Sequence, residues 1–333
     1  MKKVLNITLG LFFAAVAITS CKKDDKATSL KNEFIKRTQS PMIVGEKIEF
    51  AYGAGSTNGK LSTMQVVASI PGAPGTIFEM VTHRTTTAGT DATTVVATGA
   101  VTNGATTTVN ITDTAATTLR YTYVIPEAAR GQQVTFAFSV KNRAGDEAST
   151  STPAYSITNL DMARNITVTG TAAGARYFSI ADMKAYTQAE VDAGNLSAKI
   201  DFVYAYAATI TPTTTAYAYG HSLVSPAATG YFPAGFTIPA AWVKNSTAME
   251  RKIGTALFDG QLKNDANIST YVDERDIREQ SFAGSANYAI TLTADYSIFM
   301  KTADGKYNAY IYVNSVNNTT PSAIIGIKRI RNF

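Results

Sequence analysis

The chemistry open to this 333-residue chain is bounded by two histidines, one cysteine and one tryptophan. His83 and His221 stand in neither H-x-x-x-H nor H-E-x-x-H spacing, so a metal site would have to gather distant carboxylates. A Ser-His-Asp triad would need one of them as base, yet no G-x-S-x-G elbow is present, and Gly284-Ser285-Ala286 is not one. Gly-rich phosphate loops are absent too. Both histidines therefore read as strand or loop side chains. The densest charge, Asp273-Glu274-Arg275-Asp276-Ile277-Arg278-Glu279, puts acids three apart on one helix face. A glycosidase needs two carboxylates facing each other across a cleft, so this run reads as a solvated, self-paired helix face. Asp201 reads as the outward polar residue of an alternating strand, and Asp304 as a turn residue. Sugar binding asks for an aromatic platform flanked by amides or acids. Residues 217–245 are the place to look for one. Trp242, Tyr231, Tyr219 and His221 are the candidate ligand-binding residues, with Tyr217, Phe232 and Phe236 nearby. The competing role for Trp242 is a core anchor. No metal or cofactor site emerges, and the chain reads as a non-enzyme.

The elements that must hold these residues begin with a leader. Met1-Lys2-Lys3 is followed by an apolar run from Val4 to Ile18, too short and too weakly flanked for a permanent spanning helix. It ends on Ile18-Thr19-Ser20-Cys21, which resembles the lipobox of bacterial lipoproteins. The resemblance implies cleavage before Cys21, a diacylglycerol on its thiol and an acyl chain such as palmitate on the new amino terminus. Two or three acyl chains anchor stably where one does so only marginally. The following Lys22-Lys23-Asp24-Asp25 is similar to the charged tether of Bacteroidota lipoproteins. An acidic cluster there implies display on the outer face of the outer membrane.

Removing residues 1–20 takes Lys2 and Lys3 and lowers the formal net charge from +5 to +3. No long block of like charge exists, so a nucleic-acid partner has no electrostatic footprint. With Cys21 lipidated, disulfides and thiolate chemistry are excluded. The chain must then stabilise itself by burial, and its length suits roughly two domains. Abundant Thr, Ala, Tyr and Phe suit half-buried strands.

These features predict an all-β protein with a few short helices. Residues 1–20 form the signal peptide, 21–33 a lipidated tether, 34–160 an immunoglobulin-like sandwich and 161–333 a second β-rich domain. In the first domain, alternating runs such as Lys47–Tyr52, Leu119–Ile125 and Val134–Val140 recur between Gly/Pro turns. Thr94–Thr98 is taken as a single strand. Residues 132–157 resemble the last hairpin of bacterial Ig-like and fibronectin-like modules, with an Asn142-Arg143-Ala144-Gly145-Asp146 turn. Thr158–Arg164 reads as a linker. In the second domain, Lys199–Tyr206 is the best strand, and Thr187 with Glu190 forms a capping box. Ala240–Lys252 is expected as one helix. Thr302–Lys306 is a hairpin turn with Asp-Gly at its tip.

Lipidated amino terminus, tether, Ig-like module and second β domain together are similar to accessory lipoproteins of Bacteroidota glycan-utilisation systems. That resemblance implies a non-catalytic surface protein binding an extracellular ligand, a glycan among the options, through its C-terminal domain. The alternatives are an adhesin or accessory subunit of an outer-membrane uptake complex, and a secreted glycoside hydrolase.

Overall fold

The computed structural model describes residues 29–208, 220–252 and 258–332. The expected leader, Cys21, Tyr217 and Tyr219 lie outside the described residues. No described helix is long and apolar enough to cross a membrane.

The first half folds as β1 (Leu30–Lys36), β2 (Lys47–Ser56), β3 (Leu61–Ala68), β4 (Ile77–Thr85), β5 (Asp91–Val95) and β6 (Ala97–Asn103). It continues with β7 (Thr106–Ile111), β8 (Ala116–Val124), β9 (Gln133–Val134), β10 (Phe136–Asn142), β11 (Glu147–Ser151) and β12 (Tyr155–Ser156). Two five-stranded antiparallel sheets result, in the orders β1-β2-β8-β4-β5 and β11-β10-β3-β7-β6. Alternation decides what faces inward: in β2, Ile48, Phe50 and Tyr52 are buried while Lys47 and Glu49 are exposed. The two inner faces meet in an aromatic core, where Phe50 lies 4.9 Å from Phe136 and 5.3 Å from Phe138. Two expectations need correction. Residues 30–33 belong to β1 rather than to a tether, because Leu30 enters the core and Asn32 donates to the Tyr52 hydroxyl at 3.0 Å. Thr94–Thr98 is two strand ends, not one strand. The chain passes from one sheet to the other at Val96, which leaves Val95 exposed and Ala97 buried.

The second half contains β13 (Asp161–Thr169), β14 (Tyr177–Ser179), β15 (Lys184–Tyr186), α1 (Gln188–Ala193), β16 (Phe202–Ala207), β17 (Gly220–Val224) and β18 (Ala248–Lys252). Then come α2 (Gly260–Lys263), α3 (Glu274–Glu279), β19 (Tyr288–Leu292), β20 (Ser297–Lys301), β21 (Tyr307–Asn317) and β22 (Ser322–Arg331). Its sheets run β13-β22-β21-β20-β18 and β15-β14-β16-β17-β19. The protein is all-β with short helices, as its composition implies. Between these sheets lie Phe178, Phe202, Leu223, Ile298, Met300, Ile311 and Ile325. Each sheet is also covered outside. One outer face carries Tyr177, Val203, Val224 and Trp242 under α1 and the 225–245 segment. The other carries Phe299, Tyr310, Tyr312 and Ile330, packed against Ile43 and Leu160 from the junction with the first half.

The expected capping box is present: Thr187 Oγ1 accepts from the Glu190 N–H and the Glu190 carboxylate from the Thr187 N–H. Asp273 caps α3 in the same way. The expected helix over Ala240–Lys252 is not. Pro239 closes a turn onto Trp242, and Ala248–Lys252 pairs antiparallel with β20. Thr158–Arg164 is not all linker either, since Asp161 already pairs with Arg329.

Candidate functional site

The four sequence candidates do not form one site. His221 and Leu223, two apart on β17, face the core between the sheets, whereas Val224 faces the outer cluster that holds Trp242. The sheet thus separates them. Tyr219 lies outside the described residues.

Trp242 is not an exposed platform. It is 8% exposed, meets the Tyr177 ring edge-on at 4.9 Å, and its Nε1–H donates to Asp192 Oδ1 at 2.7 Å. The bond ties the 239–242 turn to the end of α1, so the indole serves as a core anchor. Tyr231 is half-buried and stacks on Tyr288 with ring centroids 3.5 Å apart.

His221 is 4% exposed. Its Nε2 lies 2.8 Å from Asn318 Oδ1 and its Nδ1 lies 2.6 Å from the Tyr204 hydroxyl. An amide oxygen only accepts, so Nε2 carries the proton and Tyr204 donates to Nδ1. Burial lowers the imidazole pKa, which keeps this neutral tautomer. Both nitrogens are spent, and the ring acts as a polar clamp between the sheets. Beside it is an open cavity of about 430 Å³ bordered by Tyr206, Thr291 and Val316. His83 sits on the surface with Nε2 2.7 Å from Glu79.

Asp201 is the clearest departure from expectation. It does not point outward: it is 5% exposed, and accepts from the Ile180 N–H at 2.7 Å and the Thr247 hydroxyl at 3.3 Å. Desolvation raises its pKa to about 7. A second buried charge is paired. Lys328 Nζ lies 2.6 Å from Asp259 Oδ2, both fully buried, and also donates to the Val272 carbonyl at 2.8 Å. Burial pulls the Lys328 pKa down against the upward pull of Asp259. Asp259 in turn caps α2 and accepts from the Val272 N–H. These groups organise the fold from inside. Among the described residues, no three His, Cys, Asp or Glu side chains are grouped to hold a metal ion.

A large polar cavity lies where sequence spacing gives no hint of one, at the junction of the two halves. Residues 37–40 and 45–49 of the first half face Arg164, α2 and the 264–271 loop of the second across about 890 Å³. Arg164 spans the junction. Its Nη2 reaches Glu46 Oε2 at 2.7 Å and its Nε donates to the Gln261 carbonyl at 2.5 Å. Gln261 Nε2 donates back across the junction to the Pro41 carbonyl at 3.0 Å. The walls therefore meet through named contacts between segments 220 residues apart.

Residues 27–157 match the family profile of DUF4466, a domain of unknown function. Residues 158–332 match that of DUF8576, likewise a domain of unknown function. The crystal structure of a DUF4466 family protein from Parabacteroides merdae is similar at 36% identity and a TM-score of 0.81, over 92% of this chain and 99% of that one. The major pilin subunit BcpA of Bacillus cereus is 9% identical with a TM-score of 0.27, over 45% of each chain. The Actinomyces fimbrial adhesin FimA is 13% identical with a TM-score of 0.25, over 45% of this chain and 66% of that one. Likenesses that weak carry no argument. No curated protein matches the chain.

Proposed function

The chain belongs to the DUF4466 family and carries a DUF8576 domain, a Bacteroidota-type protein, and from that premise we propose that it is a non-catalytic lipoprotein of the outer membrane. It holds its C-terminal domain away from the membrane to bind an extracellular ligand.

One observation carries this reading: the two ends of the first sandwich have different duties. Ser29 is fixed at one end, where its hydroxyl donates to Asp146 and its carbonyl accepts from the Thr57 N–H at 2.8 Å. The second half departs from the opposite end, where the Thr158 N–H donates to the Met42 carbonyl at 2.9 Å. Strand β2, Lys47–Ser56, runs between these ends and spans about 30 Å. An acyl anchor on Cys21 leaves residues 22–28 as tether, which reach about 25 Å at most. The sandwich then works as a spacer, with the second half distal to the lipid. The spent ring nitrogens of His221 and the pairing of His83 with Glu79 argue against a histidine-centred triad at either position.

Labelling with a palmitate analogue in a Bacteroidota host, followed by protease treatment of intact cells, tests the proposal. The native chain should be labelled and shaved from the surface, and Cys21→Ala should abolish both the label and membrane retention. An unlabelled, soluble native chain would overturn it. Trp242→Ala is unsuited to locating the ligand, because that side chain reports on folding.

A further inference from the structure

We propose that the groove at the junction of the two halves is a binding site for a neutral, polyhydroxylated saccharide. The inference deepens the display reading and rests on it for biological context, but its chemistry stands on separate observations.

Size and position suit a ligand. A cavity of about 890 Å³ is within the range of small-molecule sites, and such sites favour domain junctions. The lining then narrows the class. It is dominated by charged, amide and hydroxyl side chains, so a lipid or apolar peptide would lose its hydration there without gaining apolar contact. Three cations, Arg37, Lys47 and Arg164, face three carboxylates, Glu46, Glu49 and Asp265. With the cations balanced and Arg164 already paired to Glu46, the groove offers no net field for a phosphate, a nucleic acid or an acidic glycan.

A sugar hydroxyl both donates and accepts, so it needs donors and acceptors interleaved at close range. The groove supplies them. The Arg37 guanidinium offers donors, the Glu49 carboxylate acceptors and the Asn264 amide both, and none of these three side chains pairs with another described protein group. Asn264 is preset by the fold: it closes α2 in the left-handed conformation, φ 56°, with its N–H bonded to the Gln261 and Gly260 carbonyls. Gln261 is 6% exposed, spends its Nε2 on Pro41 and leaves its Oε1 without a donor. An acceptor left in that state favours a ligand that brings a hydroxyl donor to it. Tyr271, half-buried, is the aromatic residue bordering the groove, and stacking of the CH face of a pyranose is assigned to its ring.

The test is calorimetric titration of the purified full-length chain with neutral oligosaccharides of xylose, glucose and mannose, and with oligogalacturonate as the acidic counterpart. The expected result is selective binding of a neutral oligomer. Tyr271→Ala and Arg37→Ala should each weaken it at least tenfold without shifting thermal unfolding, while His83→Ala leaves it unchanged. Neutral binding that survives both groove variants overturns the inference, as does binding of the acidic oligomer alone or of none. A chain that is labelled and surface-exposed yet binds no sugar would sink the inference and leave the display reading standing. A chain that binds through Tyr271 but carries no lipid would do the reverse.

Discussion

Strand β2 of the first sandwich alternates buried Ile48, Phe50 and Tyr52 with exposed or half-exposed neighbours, whereas β21 of the second runs six buried residues in succession, Asn308 to Val313. The first sandwich has one core, between its sheets, and water on its outer faces. The second has a core between its sheets and further apolar clusters outside each. A sheet covered on both faces loses period-two patterning. It also encloses polar groups that then require partners. Lys328, Asp259, Asp201 and His221 are all buried in the second half, while among the described residues the first half buries Thr and Asn but no charged side chain. The second half therefore depends on specific polar pairing, and the first chiefly on apolar area.

The second half's dependence on polar pairing is greatest at Lys328. Removing its ammonium by Lys328→Ala leaves the Asp259 carboxylate buried and uncompensated, a loss of about 3–5 kcal/mol in such pairs. Chemical denaturation followed by tyrosine fluorescence should show the second half unfolding early. A loss under 1 kcal/mol would mean that water reaches Asp259, and the contrast between the halves would weaken.

Asp201 gives the opposite sign. Its folded pKa, about 7, lies above the unfolded value near 4, so ionisation opposes folding. Below pH 4 the group is protonated in both states and contributes nothing. As pH rises from 4 to 7 the penalty grows, and above 7 it is constant, at up to about 4 kcal/mol. Asp201→Asn keeps an acceptor for the Ile180 N–H and removes the charge. It should therefore stabilise the protein at pH 8 and have little effect at pH 4. Equal stability of the two forms at pH 8 would show the carboxylate to be better solvated than its burial implies.

Trp242→Phe should cost about 1 kcal/mol, the worth of the hydrogen bond to Asp192, since the ring contact with Tyr177 is retained. Loss of ligand binding without loss of stability would instead restore the indole as a contact residue.

How much of this was legible follows the same divide. The first sandwich was readable because β2, β8 and β10 alternate and their turns carry Gly, Pro and Asn. In the second half, Thr187 announced α1 through local capping chemistry, and the 273–279 charge run announced α3 through acids and arginines spaced on one helix face. Ala240–Lys252 misled because apolar Trp242, Val243 and Met249 mimic a helical face, and Pro239 with the partner strand β20 overrode that pattern. Asp201 misled because strand alternation sets a direction but gives no information on what covers it. The groove was not legible at all, since Arg37, Gln261 and Tyr271 come together only through the docking of segments far apart in sequence.

Glu46 and Arg164 are each about a quarter exposed, and their ion pair joins the two halves at 2.7 Å. Such a pair is worth about 0.5–1 kcal/mol. Glu46→Gln should thus barely move the overall midpoint. It acts on coupling, however, because Arg164 also holds the Gln261 carbonyl and Ile43 still packs among Phe299, Tyr310 and Tyr312. If the apolar docking dominates, scanning calorimetry should keep one cooperative transition in the variant. Two resolved transitions would instead assign the union of the halves to polar contacts, and would make the groove walls a hinge that a bound ligand could close.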